Sequence, residues 1–366
     1  MAIDQKKSTP LYLQIVDDLC RQIALGKLRP GEKIRSQSDL ANIYGVSLIT
    51  VKKALWEMTK DGMLYSRVGK GTYVSEESPL TERREFKSIG FVLTDMKSPF
   101  FSRILHSVEQ RAGTMGFSLM LSSSENKIEK EEYLIQDFRD IGVRGLIIAS
   151  MDHIYKANPV IRQLEKERFP YVMVSYITDP DICFVGTDHE EGGYMATDHL
   201  IKSGYKKVGY INGEEGNLCG DERKKGYLRA LNAHAIPYNS QYEYRLPLGG
   251  EWHDYDSGYQ VGKRVLQQSD RPEAVFAYND LVALGFQKAI MAGGMKVPQD
   301  LAVVGFDNID SSATTSVPLT TINQPTDKIG MLAVDVLYHK CRGDDIEVRQ
   351  ILKPQLIIRE SCGANL

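Results

Sequence analysis

The residues best suited to recognise a polar small molecule stand directly behind short apolar runs in the later three-quarters of the chain. They are Asp95 and Ser98, Ser124-Glu125, Asp152, Asp188, Asn279-Asp280, Asp307-Asn308 and Gln324, with Arg223 in a helix-opening segment and Trp252 in a loop. Carboxylate, amide and guanidinium groups present paired hydrogen-bonding atoms that match adjacent sugar hydroxyls, and an indole face packs on sugar C–H groups. Each has a plainer use as well. An Asp after a strand often caps a helix or closes a turn; Arg223 could form a surface ion pair, Trp252 anchor a loop and Gln324 brace a hinge. Asp188, followed by Gly192-Gly193, suits the organisation of a chain crossover better than ligand contact.

A second set suits a polyanion. Lys52, Lys53 and Lys70-Gly71-Thr72 fall within residues 20–75, where 10 basic residues face 4 acidic ones, although the whole chain carries −3. Residues 1–80 sum to +3 and the remainder to −6. A basic segment on an acidic protein is either the electrostatic footprint of nucleic-acid binding or a charged solvated face. Catalytic constellations are not evident. The histidines (His106, His153, His189, His199, His234, His253 and His339) are dispersed, and the five cysteines show no zinc, redox or disulfide spacing. No metal or cofactor is expected, and scattered thiols fit a reducing compartment.

These side chains need elements to position them. Leu11, Ile15, Leu19 and Ile23 recur at helical spacing, opened by Thr9-Pro10 and stopped by Gly26. Ser36 caps a short helix ending at Tyr44-Gly45, and Ser47 caps a third whose inward positions are Val51, Leu55 and Met58. Two helices joined by a short Gly-containing turn form a helix-turn-helix, whose second helix fits the major groove. Residues 63–67 and 72–75 read as strands of a hairpin around Val68-Gly69-Lys70-Gly71, a glycine-rich basic tip. The polar stretch 76–87 reads as a connector.

From Ser88 onward, apolar runs at 89–93, 119–121, 145–149, 171–174, 208–211, 274–277 and 302–306 alternate with helical stretches at 100–115, 129–141, 190–203, 222–233, 254–267, 279–291 and 326–340. That alternation predicts an α/β domain of two parallel sheets flanked by helices, with ligands beyond the carboxyl ends of the strands. The predicted domains are therefore 1–75, a linker at 76–87, and 88–366.

The first segment, PLYLQIVDDLCRQIALGKLRPGEKI followed by SDLANIYGVSLITVKKALWEMTKDGML and GKGTYV, resembles the GntR-type winged helix. The resemblance implies a homodimer on a palindromic operator of double-stranded DNA, with contacts from Ser36, Gln37, Ser38, Ser47, Leu48, Thr50, Lys52, Lys53, Lys70, Gly71 and Thr72. Departures are visible: Ser38 and Leu48 stand where the family usually carries arginine. Leu48 lacks the bidentate contact to guanine but could touch a thymine methyl.

The later segment resembles the LacI/GalR effector domain. The ordered match includes Lys97-Ser98-Pro99-Phe100-Phe101, Phe184-Val185-Gly186-Thr187-Asp188, Arg223-Lys224-Lys225-Gly226-Tyr227, Phe276-Ala277-Tyr278-Asn279-Asp280, Val304-Gly305-Phe306-Asp307 and residues 318–325. It implies a periplasmic-binding-protein-like fold with two lobes. Effector contacts would come from Arg223, Asn279 and Asp307, then Asp152, Trp252 and Gln324, with Glu125 and Phe101 as pocket walls. The hybrid order resembles arabinose-responsive repressors. A monosaccharide such as L-arabinose is the leading effector, with hexoses and purines as alternatives.

Other classes fit less well. A sugar-transport protein would share the second fold but would carry an export signal, and the first ten residues contain no apolar segment of that kind. An aminotransferase-like enzyme fused to such a reader would need a longer chain and a Schiff-base lysine. A non-enzymatic, cytoplasmic regulator without a membrane span is expected; 42% hydrophobic and 25% charged residues over 366 positions suit two or three globular domains.

Overall fold

The computed structural model describes residues 10–24, 27–60, 62–67, 70–75, 88–150, 159–174, 176–247, 254–344 and 346–363. Its contacts divide the chain into two compact units, Met1–Lys87 and Ser88–Leu366.

The first unit contains helices α1 (Leu11–Ala24), α2 (Gln37–Tyr44) and α3 (Leu48–Lys60), then strands β1 (Leu64–Arg67) and β2 (Gly71–Val74) in an antiparallel pair. Apolar residues at helical spacing meet in one core: Ile15, Leu19 and Ile23 from α1, Leu40 from α2, Val51, Leu55 and Met58 from α3, and Leu64 and Val74 from the hairpin. The turn between α2 and α3 is sharply defined. Ser36 Oγ accepts from Asp39 N, Gly45 ends α2 in the left-handed conformation, and Ser47 Oγ accepts from Thr50 N at 3.2 Å to start α3. Lys33 bridges to Tyr73, which attaches the segment before α2 to the hairpin. This is the winged helix expected from the sequence; the tip residues Val68 and Gly69 lie outside the described residues.

The second unit contains two six-stranded sheets. The first is built from β3 (Ser88–Leu93), β4 (Ser118–Ser123), β5 (Leu146–Ile148), β6 (Tyr171–Met173), β7 (Phe184–Thr187) and the later β13 (Arg349–Leu352). Their order is β4-β3-β5-β6-β7-β13, parallel throughout. Helices α4 (Pro99–Thr114), α5 (Ile128–Ile141) and α6 (Pro159–Lys166) connect them. The second sheet uses β8 (Val208–Asn212), β9 (Glu243–Arg245), β10 (Ala274–Ala277), β11 (Ala302–Asp307), β12 (Thr320–Asn323) and β14 (Gln355–Ile357). Their order is β9-β8-β10-β11-β12-β14, with only the β14 edge antiparallel. Its helices are α7 (His189–Lys202), α8 (Leu218–Ala233), α9 (Asp254–Leu266), α10 (Asp280–Ala292) and the short α11 (Ser311–Thr314). The last helix, α12 (Thr326–Arg342), packs back on α4.

The chain thus passes between the sheets after β7, after β12 and between β13 and β14. Each lobe has its own core, centred on Phe91, Ile147 and Val172 in one and on Tyr210, Phe276 and Val304 in the other. No helix among the described residues is long and apolar enough to cross a membrane.

Two expectations change. Helix α8 begins at Leu218, four residues before the expected start, so Arg223 lies in its second turn rather than at its opening. Gly220 stands inside this helix, where a Cβ would meet Asn212 Oδ1 at 2.1 Å. Helices α6 and α11, the interior strands β7 and β12 and the edge strands β9, β13 and β14 went unread because they are short or mix apolar and polar residues.

Candidate functional site

The carboxyl ends of both sheets face one cavity of about 360 Å³, within the range of small-molecule sites. The first lobe contributes Thr94, Asp95, Ser98, Phe100, Phe101 and Asn126; the second contributes Arg223, Asp254, Tyr278, Asn279 and Asp307. The crossovers contribute Thr187, His189 and Gln324.

Arg223 is the buried centre of this wall, 4% exposed. Its placement depends on the contact of α7 with α8. A Cβ on Gly226 would fall 2.0 Å from Glu190 O, and one on Gly193 would fall 2.1 Å from Arg223 O, so the two backbones touch at positions only glycine permits. From there the guanidinium lies 3.7 Å from the centroid of Phe306. Its Nε donates to His189 Nδ1 at 3.3 Å, one terminal nitrogen donates to the carbonyl of Tyr278, and the other lies 3.8 Å from Asp307 Oδ1.

Asp307 ends β11 with φ +114, a conformation that costs a non-glycine residue energy. Gln324 Nε2 donates to its Oδ1 at 2.7 Å. Burial drives its carboxyl up to about 7, against the opposing pull of Arg223. Burial also holds the His189 imidazole well below its ordinary value, helped by the neighbouring Arg223 charge, so the ring is neutral and can accept from Nε. Behind Asp307, the Asp280 carboxyl accepts from Ser312 Oγ, Thr321 Oγ1 and, at 3.0 Å, Ile309 N; burial raises it to about 6. Asn279 caps α10 by accepting from Val282 N at 2.9 Å, while its Nδ2 donates to Asp254 Oδ2 at 2.6 Å. Asp254 also accepts from the Tyr278 hydroxyl at 3.0 Å. Thr187 Oγ1, at the end of β7 and lining the same cavity, is buried with no hydrogen-bond partner among the described residues.

The cavity brings together Phe101, Arg223, Asn279, Asp307 and Gln324 among the residues singled out from the sequence, and Asp95 and Ser98 join them. Glu125 does not line it. Its side chain is 61% exposed and pairs with Lys130 at 2.8 Å, while the next residue, Asn126, reaches the wall. Glu125 and Asn126 both have positive φ, and that tight turn rotates the wall position by one residue. Asp152 and Trp252 lie outside the described residues. Asp188 caps α7 by accepting from Glu191 N at 2.9 Å, in keeping with a role at the crossover. Sequence reasoning missed His189, Tyr176, Tyr278 and Asp254. Only Tyr278 carried a usable signal, since it directly follows β10.

The winged helix presents a second candidate surface. Ser36, Gln37, Ser38, Ser47, Leu48, Lys52, Lys53, Lys70 and Gly71 are exposed, and Thr50 and Thr72 are half-buried. Ser36 Oγ and Asp39 bond reciprocally, at 2.6 Å to the carboxylate and 3.1 Å from the amide, so both serve the cap. Thr50 Oγ1 pairs with Ser47 Oγ at 2.8 Å, and Thr72 Oγ1 with Ser66 Oγ at 3.2 Å. Lys53 Nζ lies 4.0 Å over the Tyr12 ring. On the wing, Tyr65 and Tyr73 stack at 5.6 Å with the Arg67 guanidinium over both.

Comparisons with known proteins match both units. Residues 11–74 match the bacterial regulatory proteins of the gntR family, and residues 197–362 match the periplasmic binding protein-like domain. The chain is 31% identical to an arabinose metabolism transcriptional repressor of Geobacillus stearothermophilus, over 98% of this chain and 99% of that one. It is 30% identical to the transcriptional repressor PurR of Mannheimia succiniciproducens, over 88% of this chain and 97% of the relative. Among solved structures, the transcription regulator CcpA of Lactococcus lactis superposes with a TM-score of 0.67 at 28% identity, covering 75% of this chain and 98% of CcpA. A LacI-family regulator from Enterococcus faecium with bound ribose superposes at 0.65 and 27% identity, covering 75% of this chain and 98% of the regulator. The chain belongs to the DNA-binding transcriptional repressors that join a gntR-type winged helix to a LacI-type, periplasmic-binding-like sensing domain.

Proposed function

We propose that this repressor senses a monosaccharide, with an L-arabinose-like pentose as first choice, and that sugar in the cavity releases a palindromic operator held by a homodimer. The observation that carries the reading is the convergence of Arg223, Asp307, Gln324 and Asn279 on one cavity of about 360 Å³. An acid, two amides and a guanidinium supply paired donors and acceptors for vicinal hydroxyls, and Phe101 and Tyr176 offer faces for sugar C–H groups. The buried, unpartnered Thr187 Oγ1 adds a further polar group on the same wall. The arabinose metabolism repressor and the ribose-bound regulator among the relatives support a pentose.

A purine is the second reading, favoured by the PurR relatives and by the same aromatic faces, on which a base would stack. Asp152 and Trp252 are proposed as further effector contacts. Ser36, Gln37, Ser38, Ser47, Leu48, Thr50, Lys52, Lys53, Lys70, Gly71 and Thr72 are proposed as the DNA surface of a reader at 1–75, joined through 76–87 to the sensor in a cytoplasmic, non-enzymatic protein.

The test is a thermal-shift screen of intact protein against L-arabinose, D-xylose, D-ribose, D-galactose and purine bases. A ligand that binds only the native state raises the melting temperature by mass action. The best stabiliser is then titrated into an operator-binding assay. A pentose that stabilises and releases DNA supports the first reading; stabilisation by purines alone selects the second.

A further inference from the structure

We infer that Leu48 and Ile49 read thymine methyl groups, so that each operator half-site contains at least one thymine whose 5-methyl seats against this pair. The inference rests on α3 being the helix that enters the groove. Helix α3 turns Val51, Ala54, Leu55 and Met58 to the core. Its opposite side runs through Ile49, Lys53, Trp56 and Lys60, with Leu48 and Lys52 on the flank. Ile49 is 78% exposed and Leu48 46% exposed, so the fold of this unit makes little use of either.

In a helix-turn-helix, the first residues of the second helix reach the base edges. Here several of the polar groups around that turn are already engaged. Thr50 and Ser47 bond each other, and the Lys53 ammonium lies over Tyr12. The turn is left presenting two aliphatic side chains, which can neither donate to guanine nor accept from cytosine. The apolar feature of the major-groove floor is the thymine methyl.

The surrounding charge selects the same partner. Lys52 flanks the pair on α3, Lys60 ends the same helix, and Lys70 stands on the hairpin of the same unit; all three are exposed. Exposed cations on this unit fit phosphates, and their like charge opposes docking of the unit on a second copy of itself.

The experiment selects sites for the intact protein from a random duplex pool, then resynthesises the enriched site with deoxyuridine replacing each thymine in turn. Uracil lacks only the 5-methyl. We expect one or two symmetry-related positions per half-site where the replacement weakens binding about four-fold per methyl. The double variant L48A/I49A should lose that sensitivity while keeping the wild-type salt dependence and melting temperature. Tolerance of uracil at every position overturns the inference, as does unchanged sensitivity in the double variant or failure of any sequence to enrich. So does an uracil-insensitive wild type whose L48A/I49A variant sediments as a smaller species, which assigns the pair to self-association. If L48A/I49A and K52A both bind the enriched site as wild type does, α3 lies outside the groove, and the underlying reading has failed instead.

Discussion

Asp307 is predicted to destabilise the protein it serves, and the size of the effect follows from its surroundings. Burial raises its carboxyl from 3.8 to about 7. The folded chain therefore holds the proton more tightly than the unfolded chain does, and folding is favoured while the group is protonated. That contribution is fully present below about pH 4, declines as pH rises, and is gone above about pH 7. Three pKa units at about 1.4 kcal/mol each give about 4 kcal/mol. The side chain is only 13% exposed, so solvent screening reduces this little. Asp307→Asn removes the charge while keeping shape, and the amide oxygen can still accept from Gln324. Arg223 retains its bonds to His189 and Tyr278. The variant should be close to wild type in stability near pH 4 and about 3–4 kcal/mol more stable near pH 7.5. The assay is urea denaturation of both proteins, without ligand, across that pH range, and the difference curve isolates this one group. The variant should at the same time lose its response to sugar. A flat difference curve, or a variant less stable than wild type near pH 7.5, refutes the argument and assigns Asp307 a net structural role through Arg223.

Three further outcomes are expected. Arg223→Ala should abolish the melting-temperature shift produced by sugar while leaving ligand-free operator binding within about two-fold of wild type; loss of DNA binding in the free state would contradict the division of labour between the two units. Lys70→Ala should weaken binding to all duplexes alike and reduce the slope of log affinity against log salt by about one, as removal of a phosphate contact does; a sequence-dependent loss would place Lys70 at a base. Gly226→Ala should cost at least about 3 kcal/mol, measured by chemical denaturation, because its methyl meets backbone at 2.0 Å with no flexible neighbour to give way; a cost under about 1 kcal/mol would mean that α7 and α8 can slide apart freely.

Much of the fold was legible because parallel strands buried on both faces leave continuous apolar runs, as at Gly145–Ala149 and Ala302–Phe306. The edges β9, β13 and β14 carry no such run, and in the interior strands β7 and β12 glycine, threonine and asparagine interrupt it, so their assignment depends on pairing partners far away in sequence. The site divides in the same way. Asp307 ends β11 and Asn279 comes two residues after β10, so both could be placed by rule, whereas His189 and Tyr176 reach the cavity from the first crossover and the segment before it. Asp254 owes its place to hydrogen bonds with Tyr278 and Asn279, a relation that chain order does not record. Glu125 against Asn126 is decided by the handedness of a single turn.

The energetic character of the cavity bears on how a ligand can act through it. Asp307 carries a raised carboxyl on a strained backbone, Asp280 is a second buried acid behind it, and Thr187 Oγ1 lacks a partner. A hydroxyl that donates to Asp307 and pairs with Arg223 offsets part of the cost of burying that charge on the second lobe, and a ligand that also touches Asp95 or Ser98 of the first lobe gains those further contacts only where the lobes are close. Arg103 of α4 already joins the lobes by donating to the Asn308 carbonyl at 2.8 Å, one residue beyond Asp307. Ligand contact at Asp307 and lobe contact at Asn308 therefore act on the same turn. A ligand shifts a conformational equilibrium only by its differential affinity for the two states, and this turn is where such a difference can arise. Arg103→Ala should accordingly leave the chemistry of the cavity intact yet weaken sugar binding and shrink the change in operator affinity that sugar produces, measured by titrating sugar against operator. Unchanged coupling in that variant would place the communicating contact elsewhere in the crossovers.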